Sequence, residues 1–258
     1  MYLINKLKKR LYSQGFFSLI IHILKYPFLY GKRKSYKNML TKNNIKDRFI
    51  AIYDENLWQS KESISGEGSE ILYTKPLRDW MLREIPSLNV KTFVDAPCGD
   101  FNWMKTIISE LPMKYIGIDI VPSLIESNKL KYQSENIHFK NSDICKDPLP
   151  DCDIIMVRDC LFHLSYEDIN NFLKNLCKTN YRYLFTTTHL NVNMQNFSNS
   201  DIQTGDFRYI DLFSYPFNFD NAKVKSRVND YIKNSVAPKE MFLIEKDFVP
   251  NLISFNKY

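Results

Sequence analysis

Short apolar runs separated by amphipathic and polar segments dominate the middle of this chain. Phe93 to Asp95, Tyr115 to Ile120, Ile137 to Lys140, Asp153 to Val157 and Tyr181 to Thr187 are rich in aliphatic and aromatic residues, as strands buried on both faces are. Between them, Trp103 to about Leu111, Pro122 to about Tyr132 and Tyr166 to Cys177 have the spacing of helices. This alternation predicts an α/β fold, a doubly wound, mainly parallel, seven-stranded sheet with helices on both faces. Met241 to Ile244 and Leu252 to Phe255 are expected to be its terminal pair of strands. Ahead of the first strand, Leu57 to Ser69 is polar and glycine-punctuated and reads as a loop, and a helix starts at a Thr74 cap with Pro76 in its first turn. Residues 188–238 break the alternation. Their aromatics, arginine and glycine suit an ordered lid over an acceptor pocket.

The first 48 residues follow another pattern. Phe16 to Tyr30 is apolar but interrupted, with Ser18, His22 and Lys25 at i, i+4 and i+7, so a helix there carries one narrow polar stripe. Twelve Lys or Arg face a single acid, Asp47, in residues 1–50, a charge of +11, whereas residues 51–258 hold 23 basic and 28 acidic side chains, a charge of −5. The apolar run is shorter than the roughly 20 residues that span a bilayer, and no signal-cleavage pattern follows it. Three readings stand: a helix in the interface of an anionic membrane, a helix packed on the rest of the chain or on a second subunit, and a nucleic-acid arm, which the long apolar stretch disfavours. The expected organisation is a basic amphipathic extension, 1–48, and one domain, 49–258. Five cysteines without paired CxxC units read as reduced thiols of a cytoplasmic protein, with Cys160 a small buried hydrophobe rather than a nucleophile.

The chemistry gathers at the strand ends. Asp95-Ala96-Pro97-Cys98-Gly99-Asp100-Phe101-Asn102-Trp103 is a strand ending in an acid and a tight glycine turn, the arrangement that holds a nucleotide-like cofactor. Asp119, 24 residues beyond Asp95, ends the next strand, where a carboxylate accepts both hydroxyls of a ribose. The third strand runs into Asn141-Ser142-Asp143-Ile144, whose carboxylate suits an adenine amine, and the fourth into Arg158-Asp159-Cys160-Leu161-Phe162-His163. In a doubly wound sheet these ends share one crevice, where strand order reverses.

At these motifs the chain resembles the class I S-adenosylmethionine-dependent methyltransferases. It departs from their acid-x-Gly-x-Gly-x-Gly loop, with Pro97 and Phe101 in the first and third glycine places and only Gly99 kept. A pyrophosphate needs the missing glycines, which argues against a dinucleotide. The resemblance implies S-adenosyl-L-methionine as cofactor and no metal, with Asp95, Pro97, Gly99, Asp119, Ile120, Asp143, Ile144 and Arg158 around it. It further implies Trp58 stacking on the adenine and Arg78 pairing with the methionine carboxylate. Asp159, His163 and His189 are the candidate bases, His189 ahead of His163, whose counterpart in the resembling family is often structural. Trp103, Asp201 and Arg208 are the candidate acceptor contacts.

The fourth strand lacks the Asn/Asp-Pro-Pro-aromatic motif of nucleobase methylation. From Trp58 to about Phe217 the chain is similar to bacterial small-molecule methyltransferases, some encoded in capsule or surface-polysaccharide clusters. The Leu57-to-Ser69 opening, the Asp95-to-Trp103 loop and Asp201-Ile202-Gln203-Thr204-Gly205-Asp206-Phe207-Arg208 carry that likeness. It implies O-methylation of a sugar, nucleotide-activated or phosphoramidate precursor, in the cytoplasm or at the inner face of the membrane. A hydroxyl acceptor needs a base; an anionic oxygen needs Arg208 or Arg158 to orient it, and is slightly favoured. A nucleic-acid or protein methyltransferase steered by the basic arm and a non-catalytic cofactor-binding scaffold are the alternatives.

Overall fold

The structure, a computed structural model, describes residues 34–190, 197–232 and 238–254. The apolar stretch Phe16 to Tyr30 and the basic cluster around it lie outside the described residues. Among those described, no helix is long and apolar enough to cross a membrane.

Residues 34–40 are helical, and α1 (Ile45–Asp54) and α2 (Lys75–Glu84) follow. Beyond them come β1 (Thr92–Asp95), β2 (Lys114–Asp119), α3 (Pro122–Tyr132), β3 (Ile137–Asn141), β4 (Ile154–Val157), α4 (Tyr166–Cys177), β5 (Tyr183–His189), β6 (Val224–Asn229) and β7 (Lys239–Glu245). The seven strands lie in the order β3-β2-β1-β4-β5-β7-β6. β1 to β5 are parallel, and β7 runs antiparallel between β5 and β6. This is the doubly wound, mostly parallel sheet expected from the alternation.

The two-residue period of the strands divides the molecule into two cores. Val94, Ile118, Ile155, Val157 and Leu184 pack on one face with Ile169, Phe172 and Leu176 of α4. Phe93, Tyr115, Ile154, Met156 and Phe185 pack on the other with Leu77, Trp80 and Met81 of α2 and Ile125 of α3. Both faces are thereby covered, as a parallel sheet requires. Ser165 caps α4 by accepting from the Asp168 amide, and Asn44 caps α1 through the Asp47 amide.

Three expectations need correction. Met104–Thr106 and Ile108–Glu110 are 3₁₀ turns in place of the helix expected over Trp103 to Leu111. Thr106 donates its hydroxyl to the Trp103 carbonyl at 2.7 Å, and the β-branched run Thr106-Ile107-Ile108 disfavours α-helix. The partner of β7 is Val224–Asn229 rather than Leu252 to Phe255, whose described residues 252–254 form no strand. β6 is an edge strand with alternate residues exposed, which accounts for its polar sequence. Its Ser226 hydroxyl accepts from the Trp80 indole at 3.2 Å. Finally, the boundary drawn at residue 48 falls inside α1, and Met39, Ala51 and Ile52 are buried.

A buried charge network ties the β6–β7 end of the sheet to its centre. Arg158, after β4, donates to both carboxylate oxygens of Asp230, after β6, each at 2.9 Å. Lys239, opening β7, bonds Asp159 and lies 3.3 Å from Asp230. Asp230 is fully buried, so Asp230→Ala leaves Arg158 and Lys239 with one carboxylate, Asp159, between them in low dielectric. Losing one partner of a buried pair costs about 3–5 kcal/mol, which lowers Tm by roughly 6–20 °C in a chain of this size. Thermal unfolding checks this, and an unchanged Tm would mean that water, not Asp230, solvates Arg158.

Candidate active site

A cavity of ≈ 610 Å³ opens beyond the carboxyl ends of the strands, beside the β1–β4 junction where strand order reverses. At one end stand the acids of β1 and β2. Asp95 accepts the Tyr115 hydroxyl at 2.7 Å, yet burial pushes its carboxyl up to about 7. Asp119 accepts from the amides of Val121 at 3.0 Å and Gly99 at 3.2 Å; burial nevertheless pushes it up to about 6. Gly99 holds φ of +55°, and a Cβ there would lie 2.3 Å from the Ser65 hydroxyl oxygen, so this turn requires glycine. Pro97, Ile120, Asp143 and Ile144 complete this end. Asp143 accepts the Cys145 amide at 2.9 Å and faces Lys146 at 3.4 Å.

The loop ahead of α2 closes over this turn through a residue that the sequence reading left unassigned. The Asp100 carboxylate accepts from the Ser63 hydroxyl at 2.9 Å, the Ile64 amide at 3.0 Å and the Ser65 hydroxyl at 3.2 Å. Asn102 donates to Glu62 at 2.8 Å and to the Ser69 carbonyl at 3.1 Å. Repeated serines in a polar loop, with an acid in the glycine turn, were the available signal.

Arg158, Asp159 and Lys239 line the cavity at the end of β4. Arg158 is occupied by Asp230 and by the Gly68 carbonyl, at 2.7 Å, and its guanidinium lies 5.5 Å from the ring of Trp103, itself buried in the cavity wall. Burial would raise the Asp159 carboxyl, but Arg158 and Lys239 hold it well below the usual carboxylate range. A carboxylate paired with two cations is a poor proton acceptor, which weighs against its reading as a general base.

The two histidines differ in tautomer. At His189 the Ile210 amide donates to Nδ1 at 3.2 Å, so in the neutral ring Nε2 carries the proton. At His163 the partner of Nδ1 is the Asp206 carbonyl, at 2.8 Å. A carbonyl only accepts, so Nδ1 carries the proton and Nε2 keeps its lone pair. Burial depresses both rings, His189 to about 4, and keeps them neutral at pH 7. His163 therefore has the free basic nitrogen and His189 offers a donor, which reverses the order expected from sequence.

Much of the rest of the cavity lining is aromatic or aliphatic. α1 contributes Ile45, Phe49 and Tyr53, at i, i+4 and i+8, and Trp58, Phe162, Phe207 and Ile232 join them. The α1 residues were missed because they straddle the boundary drawn at residue 48, although their helical spacing was visible. Trp58 lies with its ring 5.4 Å from that of His163.

Three predicted site residues lie outside the cavity lining. Arg78 donates to the Ile71 carbonyl at 2.8 Å and to Thr74 and Thr106, each at 3.3 Å, and so braces α2 instead of facing a methionine carboxylate. Asp201 accepts the Tyr166 amide at 2.7 Å at the start of α4. Arg208 is buried with its guanidinium 4.9 Å from the Tyr166 ring and donates to the Leu161 carbonyl at 3.2 Å. Neither Asp201 nor Arg208 is placed to meet an acceptor.

Residues 93–179, from β1 through α4, match the family model of a methyltransferase domain. No curated protein sequence matches the chain. Among solved structures it is similar to an S-adenosylmethionine-dependent methyltransferase of Leishmania major, at 14% identity and TM-score 0.56 over 83% of this chain and 90% of that one. It is similar to 1,6-didemethyltoxoflavin-N1-methyltransferase of Burkholderia thailandensis, which holds 1,6-didemethyltoxoflavin and S-adenosylhomocysteine, at 9% identity and TM-score 0.56 over 78% and 87% of the two chains. It also resembles the N-methyltransferase NodS of Bradyrhizobium japonicum WM9 in complex with S-adenosyl-L-homocysteine, at 12% identity and TM-score 0.53 over 75% and 97%. At such identities the likeness is one of fold. Residues 93–179 of this chain thus match a methyltransferase-domain model, and they build the centre of a doubly wound sheet of the class I methyltransferase fold.

Proposed function

We propose that the protein is an S-adenosylmethionine-dependent O-methyltransferase whose acceptor is a hydroxyl of a small, carbohydrate-linked precursor of bacterial surface polysaccharide. The observation that carries this reading is the pair of opposite histidine tautomers, one leaving a basic nitrogen and the other an N–H donor, on two rings that line the same cavity as the buried strand-end acids.

The residues present fit the cofactor. Asp119 ends β2 where a ribose diol can donate to it, Asp143 follows β3 where an adenine amine can, and Ile120 and Ile144 supply flat apolar contact. When bound, S-adenosylmethionine supplies an electrophilic methyl group on a sulfonium. His163 Nε2 takes the acceptor's proton, and His189 Nε2–H orients the acceptor oxygen. A neutral amine attacks without prior loss of a proton, whereas a hydroxyl benefits from a base. Oxygen as the acceptor therefore rests on the histidines, not on the likeness to N-methyltransferases. A phosphoryl or phosphoramidate oxygen is less well served, because Arg158 is held by Asp230 and Gly68, and Arg208 lies outside the cavity lining. We place the reaction at the inner membrane face, with residues 1–33, basic and apolar, as the attachment. A screen of activated sugars and phosphoramidates with labelled cofactor tests the acceptor class, and labelling of the phosphoramidates alone would overturn the hydroxyl reading.

Asp119→Ala removes charge-assisted hydrogen bonds of about 1.5–3 kcal/mol each, and affinity for S-adenosylhomocysteine is expected to fall at least about tenfold by calorimetry. The wild-type affinity has a definite pH dependence. Asp119 accepts ribose hydroxyls best as a carboxylate, so affinity is expected to weaken as pH falls through about 6. His163→Gln is expected to reduce turnover by roughly 10² to 10⁴ with cofactor affinity unchanged. Because burial depresses His163, wild-type turnover at saturating substrates should hold down to a pH below the ordinary histidine midpoint and then fall. An unaltered rate in His163→Gln would remove it as the base.

A further inference from the structure

The turn Gln203-Thr204-Gly205-Asp206, which lies between the expected acceptor contacts Asp201 and Arg208, is gripped from two sides. From the N-terminal side, Tyr36 donates its hydroxyl to the Asp206 carboxylate at 2.9 Å and the Gly205 carbonyl at 3.2 Å. Arg48 donates to the Thr204 carbonyl at 3.0 Å, and the Gln203 side chain donates to the Leu40 carbonyl at 2.8 Å. Gly205 has φ of +100°, and a Cβ there would come within 3.0 Å of the Met39 sulfur, so the turn and the N-terminal segment are in contact. From the cavity side, the Gly205 amide donates to the His163 carbonyl at 2.8 Å, and His163 Nδ1 donates to the Asp206 carbonyl at 2.8 Å. The Ser165 amide donates to the Thr204 hydroxyl at 2.8 Å.

Asp206 thus joins two jobs in one residue. Its carboxylate holds Tyr36, and its backbone oxygen fixes the proton of His163 on Nδ1. The segment that Tyr36 belongs to continues into α1, whose Ile45, Phe49 and Tyr53 line the cavity. We propose that Tyr36 and Asp206 are positioning residues for His163, so that docking of residues 34–54 onto the turn both walls the cavity and sets the tautomer that leaves Nε2 basic. This rests on the reading of His163 as the base. If the turn shifts, Nδ1 loses its acceptor. Among the described residues the remaining surroundings are the rings of Trp58, Phe162 and Phe207 and the charged groups of Asp159, Lys239 and Arg208, none of which hydrogen-bonds Nδ1. The Tyr36 phenol remains a donor throughout the physiological range, since burial and the Asp206 carboxylate push its pKa up.

The test is the tautomer itself, read by ¹⁵N-histidine NMR on the full chain, with His163→Gln used to assign the signal. The wild type is expected to show His163 protonated on Nδ1 alone. Tyr36→Phe and Asp206→Ala are expected to lose that single form and give a mixture. Asp206→Asn, whose amide oxygen still accepts from Tyr36 and from the Phe207 amide, is expected to keep the wild-type pattern. Affinity for S-adenosylhomocysteine should be unchanged in all three variants, which separates a displaced turn from general unfolding. A pure Nδ1 tautomer in Tyr36→Phe and Asp206→Ala would overturn the proposal, as would an Asp206→Asn spectrum as altered as that of Asp206→Ala. Failure of the base reading is seen separately, in undiminished turnover of His163→Gln.

Discussion

Arg158, Asp159, Asp230 and Lys239 form a buried set of two cations and two anions on which the shape of the cavity depends. Burying each charge alone would cost several kcal/mol, and only the mutual pairing makes the set tolerable. The pairing dictates geometry. Arg158 must meet Asp230 in bidentate fashion, so the segment after β6 is drawn under the end of β4, and its bond to the Gly68 carbonyl brings the loop ahead of α2 over the same point. Asp100 then fixes that loop to the glycine turn after β1. Three segments distant in the chain are thereby held around one crevice.

The network also assigns chemistry by exclusion. Asp159 is held as a carboxylate by two cations, and Arg158 has its donors committed, so neither can readily exchange a proton or capture an anion during turnover. Two histidines line the cavity beside it, and their backbone partners differ. An amide against Nδ1 makes His189 a donor toward the cavity, and a carbonyl against Nδ1 makes His163 an acceptor. Side-chain identity alone says nothing of this difference, because both residues are neutral histidines at the same end of the sheet.

This explains what could be read from the residues and what could not. β1 to β5, α3 and α4 are local objects, specified by buried apolar runs, a Ser cap and a first-turn proline, so their limits in the structure lie close to those expected. β6 escaped notice because an edge strand needs apolar residues on one face only, and Val224-Lys225-Ser226-Arg227-Val228-Asn229 alternates weakly. The strand-end acids and Gly99 lie around the cavity because their places follow from topology. Arg78, Asp201 and Arg208 do not, because where a long or loop-borne side chain points is set by partners elsewhere, such as the Ile71 carbonyl, the start of α4 and the Tyr166 ring. The role of residues 34–54 was hidden for a related reason. Basic charge made them look like part of an appendage, whereas Tyr36, Met39 and Arg48 pack on a turn more than 150 residues away.

The central claim is that one nucleoside cofactor sits across the ends of β1, β2 and β3 beneath the loop fastened by Asp100. Hydrogen–deuterium exchange of the full chain with and without S-adenosylhomocysteine tests it most directly. The account predicts that added ligand slows exchange chiefly in residues 63–69, 97–101, 119–122 and 142–145, which surround that end of the cavity. No protection at any concentration, or protection confined to segments away from the strand ends, would contradict it.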